Sequence, residues 1–374
     1  MKRLWLFLGL LVLLCLPAAA EENYDALLDA SGAGALAGQL PGDVQELLEG
    51  LPGEPLQPET YTGLSFSHVT EQLLSLLTRQ KQGPLQALLS LTAVVVLSAM
   101  GSGLEGITSD LSLRQTYHTV SVLASCGLLL SPFLSLLAAV RQAVESVSVF
   151  MLSFVPVYGA ILTAGGSAAS AVSYQTTLLA AAELLVQLIR SVVLPALTVS
   201  LALGCTGTVT EGFSLEAVSG FIYKAILWAM GLFTTVFTGV LSMQQMVASA
   251  GDSWGGRALK FSLSSFVPVV GGALSEAYST VVGCAGLLRS TVGCFGLVAT
   301  GLILLPPLFS CLCWNLCLQL GAGAAALFRL TQLEKLCRTV AGAVRVLIAV
   351  LAVFALLMIL STSVIAFVGK GGAV

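Results

Sequence analysis

The sequence predicts an all-α integral membrane protein, and three observations support this fold class. Hydrophobic residues make up 56% of the 374-residue chain and charged residues only 9%, whereas soluble domains have roughly 25% charged residues. The mean hydropathy is +0.95. From Leu85 onward the chain divides into apolar segments of about the length that crosses a bilayer as a helix. Because a large surface with so few charges would be poorly solvated by water, we expect most of the surface to contact membrane lipid.

Residues 1–20 have the pattern of a cleavable signal peptide. Lys2 and Arg3 precede an apolar run, and the small residues that follow it end at Ala20, directly before the acidic Glu21. We therefore predict cleavage between Ala20 and Glu21. An uncleaved first span is the alternative, and the shortness of the apolar run disfavours it. Cleavage would place the next segment outside the cytoplasm.

Residues 21–84 are predicted to form an acidic extracytoplasmic arm. Ten Asp or Glu residues and no Lys or Arg occur between Glu21 and Glu71. Short amphipathic stretches alternate with Pro-Gly turn signals such as Pro41-Gly42. This pattern fits a small helical cap or a partner-binding arm, and it also fits a poorly ordered linker.

The remainder is predicted to contain about eight transmembrane or re-entrant helices. The first two occupy residues 85–146, a first membrane repeat occupies 147–248, and a second occupies 262–374. Residues 249–261 are expected to form a cytoplasmic loop between the repeats, because this stretch is polar and contains basic residues. The eight apolar segments are 85–107, 118–140, 147–163, 171–204, 218–246, 262–283, 287–320 and 341–368.

Charge placement predicts which loops face the cytoplasm. A cleaved signal peptide and eight spans would put the basic stretches 249–261 and 329–338 inside, and the acidic stretch 205–216 outside. Arg141 and Arg289 depart from this pattern, because each falls on the side predicted to be external.

An internal repeat is the most informative feature of the sequence. Ser153–Val157 reads Ser-Phe-Val-Pro-Val and recurs as Ser265–Val269, at an offset of 112 residues. At the same offset, Pro195 corresponds to Pro307. With eight spans, the two copies would run in opposite directions and form an inverted three-plus-three repeat, an arrangement common in transporters.

The repeated element contains residues that favour breaks in a membrane helix. A proline removes one backbone hydrogen bond, and glycine allows close approach or unwinding. Backbone groups left free in this way survive in a membrane only inside protein or beside a water-filled cavity. The candidates for helix breaks or pore lining are Pro156, Gly159, Pro268, Gly271 and Gly272. The alternative is a pair of kinked packing helices.

Glu183 and Arg190 are the candidate intramembrane polar residues. Both lie in the fourth apolar segment, seven residues apart and so on one helical face. A charge at mid-membrane costs about 2.5–3.5 kcal/mol on insertion scales. We therefore expect both side chains to face a polar interior. They are about 10 Å apart along a helix axis, so each needs a partner elsewhere.

The sequence contains no recognisable catalytic motif. It lacks a phosphate-binding loop of the G-x-x-x-x-G-K-[ST] form and an H-E-x-x-H zinc motif. Its two histidines, His68 and His118, have no set of metal ligands near them in sequence. We expect no enzymatic activity, no metal or other cofactor, and no nucleic-acid binding.

The two copies of Phe-Val-Pro-Val-x-Gly, at Phe154–Gly159 and Phe266–Gly271, also carry a family resemblance. Together with the continuation Gly272–Glu276, the signal peptide, the acidic arm and the apolar body, they resemble the stage III sporulation protein AE family of endospore-forming bacteria. The resemblance covers most of the chain.

The resemblance implies a membrane component of a multi-protein complex that links the mother cell to the engulfed forespore. Such a complex acts as a channel or secretion-like conduit. The chain would then lie in the mother-cell membrane around the forespore, with the arm facing the intermembrane space. Its partners would be membrane lipid, other membrane proteins of the complex and further copies of itself. The repeat alone leaves two alternatives open, a stand-alone secondary transporter for a small solute and a non-transporting membrane scaffold.

Overall fold

The protein is described here by a computed structural model that covers residues 24–49, 56–57, 89, 92–99, 111–209, 215–266 and 271–368. Within these ranges the regular structure is entirely helical. The helices are α1 (24–31), α2 (Gly42–Glu49), α3 (92–99), α4 (Leu111–Ala164), α5 (Ala168–Leu188), α6 (Leu194–Val209), α7 (Leu215–Phe266), α8 (Gly271–Leu327) and α9 (Thr331–Val368). Two short 3₁₀ turns lie between α1 and α2, and a π-helical turn, Ile189–Val193, joins α5 to α6.

Five helical stretches in the described residues are long and apolar enough to cross a membrane. The all-α membrane class is therefore confirmed, whereas eight spans are not. The five stretches are Val122–Ala164, Ala168–Gly207, Ala217–Gly255, Ser279–Leu327 and Thr331–Thr362.

The count differs because predicted segments merge into longer helices. Segments 118–140 and 147–163 are both part of α4, and 287–320 joins most of 262–283 in α8. Arg141–Ser146, between the first pair, contains no proline or glycine, so its charges interrupt the hydropathy without interrupting the helix. Most of segment 85–107 lies outside the described residues, although 92–99 is helical.

The predicted loop 249–261 is also helical and belongs to α7. Both carboxylate oxygens of Asp252 accept hydrogen bonds from the first turn of α5, from the Ala169 amide at 2.8 Å and the Ser170 amide at 2.9 Å. A carboxylate at a helix N-terminus satisfies amides that have no partner within the helix. This contact holds the polar part of α7 against the bundle.

Left-handed residues end two of the long helices. Gly166, with φ of 80°, follows α4, and the Ser167 amide donates back to the Leu162 carbonyl at 2.9 Å. The turn after α8 repeats this geometry at Arg329, with φ of 58°. Both turns are Schellman-type caps, but the second places a residue with a side chain where glycine is favoured.

Close contacts place the end of α6 and the start of α7 beside the start of α9. A β-carbon at Gly204 would overlap the side chain of Thr339, and one at Gly342 would lie 2.7 Å from the ring of Tyr223. Asp252 lies at the opposite end of α7, beside the start of α5. If each helix crosses once, residues 249–261 and 329–338 lie on opposite sides of the membrane. They then cannot both be cytoplasmic, as the eight-span interpretation requires.

The core lies between α4, α8 and α9. The inner face of α9 is almost completely buried, with Val344, Leu347 and Phe354 at 0% exposure. Gly296 of α8 lets the ring of Phe154 approach so closely that a β-carbon there would overlap it. In contrast, α7 exposes a row of large apolar side chains that includes Phe221, Trp228, Met243, Met246, Val247 and Trp254.

Candidate functional site

Pro156 lies inside α4, which continues through it from Leu111 to Ala164. The proline has no amide hydrogen, so the carbonyl four residues earlier loses its usual helical donor. The side chain of Pro156 is exposed, whereas Gly159, one turn later, is buried. The first copy of the repeated element is therefore a local defect in a continuous helix.

Gln175 of α5 fills the space that Gly159 leaves. A β-carbon at Gly159 would overlap the side-chain amide of Gln175. The Nε2 atom of Gln175 donates a hydrogen bond to the Pro156 carbonyl oxygen at 3.3 Å. Hydrogen bonds between helices across small residues are typical of packing in membranes. Pro156, Gly159 and Gln175 thus form one polar junction, of which sequence reasoning identified only the first two members.

A buried stack of aromatic rings adjoins this junction. Phe150 and Phe154 have ring centroids 5.4 Å apart, Phe154 and Tyr158 also 5.4 Å, and Tyr158 and Tyr174 5.3 Å. None of these rings is more than 2% exposed. The inner face of α4 beside Pro156 is therefore packed against protein in this structure, and Gly159 contacts Gln175 there.

The described part of the acidic arm folds onto the bundle as a helical cap. The side chains of Ala33, Leu36, Leu40, Val44 and Leu48 are buried in the same hydrophobic core as the long helices. The first 3₁₀ turn packs on α4, and α2 packs on α8. Residues 24–49 thus match the cap interpretation, while most of the arm lies outside the described residues.

One polar contact joins the cap to α4, and a second lies within the arm. The Ser153 hydroxyl, in the first copy of the repeated element, donates a hydrogen bond to the side-chain oxygen of Gln39. The Tyr24 hydroxyl donates to the Leu56 carbonyl at 2.8 Å. Burial raises the pKa of the Tyr24 phenol above its usual range. The cap therefore lies directly over the helix that contains Pro156.

A three-residue ion network joins α4 to the π-helical turn. Oε1 of Glu145 lies 2.9 Å from Nη2 of Arg190 and 3.1 Å from Nε of Arg141. Arg190 is in the turn Ile189–Val193, directly before a helix whose second residue is Pro195. A π-helical turn inserts one extra residue and often marks a functional site. The partner of Arg190 is thus Glu145, in the stretch that was predicted to separate two spans.

Glu183 and Arg190 both lie on the exposed surface of the single chain, which differs from the predicted polar interior. The opposite face of α5, with Leu178, Ala182 and Leu185, fills the apolar core and turns the charged face outward. Among the described residues, Glu183 has no ion-pair partner within 4.0 Å. The charged face of α5 therefore needs polar surroundings from outside the chain, namely lipid headgroups, water or another protein.

The remaining predicted residues are only partly described. Gly271 and Gly272 begin α8, whereas Pro268, Ala20 and Glu21 lie outside the described residues. The internal repeat is not confirmed. Its first copy lies inside α4, toward the C-terminal end of that helix, but Ser265 and Phe266 of the second copy are the last residues of α7.

An open apolar groove of about 540 Å³ runs between α5 and α7. Leu184, Leu232 and Val236 contribute apolar walls, and Thr177 and Gln244 form a hydrogen-bonded polar end. In the described ranges, no group of three His, Cys, Asp or Glu residues could hold a metal ion.

Comparisons with known proteins agree on one family. A family model described as stage III sporulation protein AE matches residues 59–369. A protein of Bacillus subtilis strain 168 named "Stage III sporulation protein AE" is 25% identical over 255 residues. That match includes 68% of this chain, and the chain spans 61% of the length of the relative. No solved structure matches the chain.

Proposed function

Because the chain belongs to the stage III sporulation protein AE family, we propose that it is a membrane component of a channel or secretion-like complex linking mother cell and forespore. The observation that supports this proposal is the family match over residues 59–369 on a chain with five helices apolar enough to span a membrane. The family and the helices together identify a sporulation-associated membrane component. The channel, its location and its partners are the proposal.

The proposed location is the mother-cell membrane around the forespore, with the cap facing the intermembrane space. Asp25, Asp29 and Glu46 are exposed on the cap and give it an acidic outer surface. Other proteins of the complex would bind there. The exposed apolar side of α7 would contact lipid or a neighbouring subunit, including a second copy of the chain. We propose no enzymatic activity, cofactor or nucleic-acid ligand.

The test is to tag the chain at its chromosomal locus in the source bacterium and follow it through sporulation. We expect it to collect around the engulfed forespore, to co-purify with other membrane proteins, and to be required for heat-resistant spores. The proposal would be contradicted if the tagged chain stayed in the peripheral membrane of the mother cell and co-purified with no other protein, and if deletion of its gene caused no loss of spores.

A stand-alone secondary transporter is the second candidate, and the groove between α5 and α7 favours it. The groove has apolar walls and a polar end at Gln244, which is the usual composition of a small-molecule site. Such a transporter would move a solute by itself in proteoliposomes, driven by an ion or proton gradient. A channel component would show no such gradient-driven uptake without its partners.

A membrane scaffold is distinguished by its tolerance of changed charges. If the chain only organises other proteins, replacing Glu183 and Arg190 by apolar residues would leave spore formation normal as long as the protein accumulates. As controls for the replacement of Glu183 and Arg190, substitutions of similar size would be made in the stretches of α7 and α9 that contain no charged residue. Loss of spores with normal protein levels would favour a conduit.

A further inference from the structure

A small cavity between α7 and α9 contains three basic side chains. Its volume is about 250 Å³, and Lys224 of α7 and Arg338 and Arg345 of α9 line it. The hydroxyl-bearing residues Ser219 and Thr339 complete the polar part of the wall. The only carboxylate that pairs with this set in the described residues is Glu334, whose Oε1 lies 2.7 Å from Nη2 of Arg338. The lining therefore keeps a net positive charge.

Close helix packing builds the back of the cavity. Gly342 lets the ring of Tyr223 approach, since a β-carbon there would lie 2.7 Å from it. Tyr223 is 7% exposed, and its hydroxyl has no hydrogen-bond partner in the part of the chain that the structure describes. At the front, Gly220 has nothing within 4 Å of the position of a β-carbon. The site is thus a formed hollow with an unpaired polar group in its wall.

The three cations also mark where charged sequence gives way to uncharged sequence. After Lys224 no charged residue occurs before Asp252, and after Arg345 none occurs before Lys370. Basic residues at the ends of apolar stretches lie at the level of the lipid headgroups. Phe221 and Trp228 are exposed on the same helix within one turn of Lys224, and aromatic side chains favour this interface.

We propose that this cavity binds the phosphate headgroup of an anionic phospholipid. Lys224 and Arg345 would contact the phosphate oxygens, and the acyl chains would lie along the exposed apolar surface of α7 beside Phe221 and Trp228. Basic pockets between transmembrane helices are suited to such headgroups. Arg338, already paired with Glu334, would add charge at the rim. This proposal does not depend on the channel function.

The lipid rather than free phosphate is the expected ligand because the cavity opens onto an apolar surface. A soluble anion would use the cations alone, whereas a phospholipid would also bury part of the exposed side chains of α7. The two sources share the same phosphate chemistry, so the experiment must separate them.

The test uses the full chain purified in mild detergent. Native mass spectrometry would measure retention of phosphatidylglycerol, with phosphatidylcholine as the neutral-lipid comparison, and thermal unfolding would measure stabilisation by each lipid and by inorganic phosphate. We expect phosphatidylglycerol to bind and to raise the melting temperature, and phosphatidylcholine and inorganic phosphate to do so far less. Equal stabilisation by inorganic phosphate would overturn the assignment to lipid.

Two variants remove the site in different ways. Lys224→Gln combined with Arg345→Gln removes the two cations expected to contact the phosphate, and Gly220→Leu fills the cavity where nothing opposes a side chain. Each is expected to weaken phosphatidylglycerol binding at least tenfold. The matched control, Arg141→Gln with Lys335→Gln, removes the same charge outside the cavity and should change binding less than twofold.

Either variant alone can contradict the proposal, so a folding failure in one leaves the other decisive. Binding of phosphatidylglycerol by Gly220→Leu at wild-type strength would show that the cavity is not the site. An equal loss of binding in the control would show that only overall charge attracts the lipid, and it would overturn the proposal as well.

Discussion

Helices α7 and α8 are similar in hydropathy but unlike in their surroundings. Their most apolar stretches have mean hydropathies of 1.7 and 2.0, yet 22% of the first and 56% of the second is buried inside the protein. Gly293 and Gly296 of α8 meet the rings of Tyr158 and Phe154, whereas Gly231 and Gly239 of α7 face open space. Hydropathy thus indicates that a helix belongs in the membrane and not whether it faces protein or lipid.

The largest effect is expected from removing an aromatic ring on the α8 side. Phe154→Ala would leave a cavity between α4 and α8 and lower the free energy of unfolding by about 4 kcal/mol. Phe154 is 0% exposed, whereas Phe221 of α7 is 72% exposed. The control Phe221→Ala should cost less than about 1 kcal/mol. Unfolding in detergent, followed by circular dichroism, measures both, and equal losses would show that α7 is also packed against protein.

Adding volume provides the converse comparison. Gly296→Leu would force its side chain into the ring of Phe154, and overpacking of this kind costs about 3 kcal/mol. Gly231→Leu, on α7, meets nothing within 4 Å and should be nearly neutral in a monomer. A large loss at Gly231, detected in the same unfolding assay or as a change in oligomeric state, would show that a second subunit covers this face.

A third comparison removes the charge of one paired carboxylate and of one with no ion-pair partner in the described residues. Glu145→Gln would separate Arg141 and Arg190 from their shared partner and lower stability by about 1 kcal/mol, because the network is partly exposed and such pairs contribute little. Glu183→Gln removes a carboxylate with no described ion-pair partner, so its effect should be smaller still. Measured in the same detergent, a larger loss at Glu183 would reveal a partner in another molecule.

The smallest effect concerns the two left-handed turns. Glycine already occupies the turn after α4 at Gly166, whereas Arg329 adopts φ of 58° after α8. Arg329→Gly should raise stability by about 0.5 kcal/mol, since relief of left-handed strain exceeds the extra entropy of glycine in the unfolded chain. The melting temperature would rise slightly. A fall would indicate that the arginine side chain makes a stabilising contact at this end of the bundle.

The site was only partly predictable from sequence. Pro156 and Gly159 were identified because proline and glycine alter the conformation of the backbone wherever they occur. Gln175 carries no such signal, and its role depends on α5 lying against α4. Glu145 was missed for a related reason, since a carboxylate between two apolar segments looks like part of a loop until the helix is seen to continue.

Composition and pattern by themselves determined the membrane class, the helical structure and the acidic character of the arm. These properties depend on local chemistry, namely too few charges to face water and backbone groups that must bond within each helix. The tertiary structure decided that two pairs of segments merge, that α7 is exposed while α8 is buried, and that Glu183 and Arg190 turn outward. Each of these depends on which surfaces meet, and helices of similar hydropathy become distinct only through the shape and spacing of the side chains that pack against them.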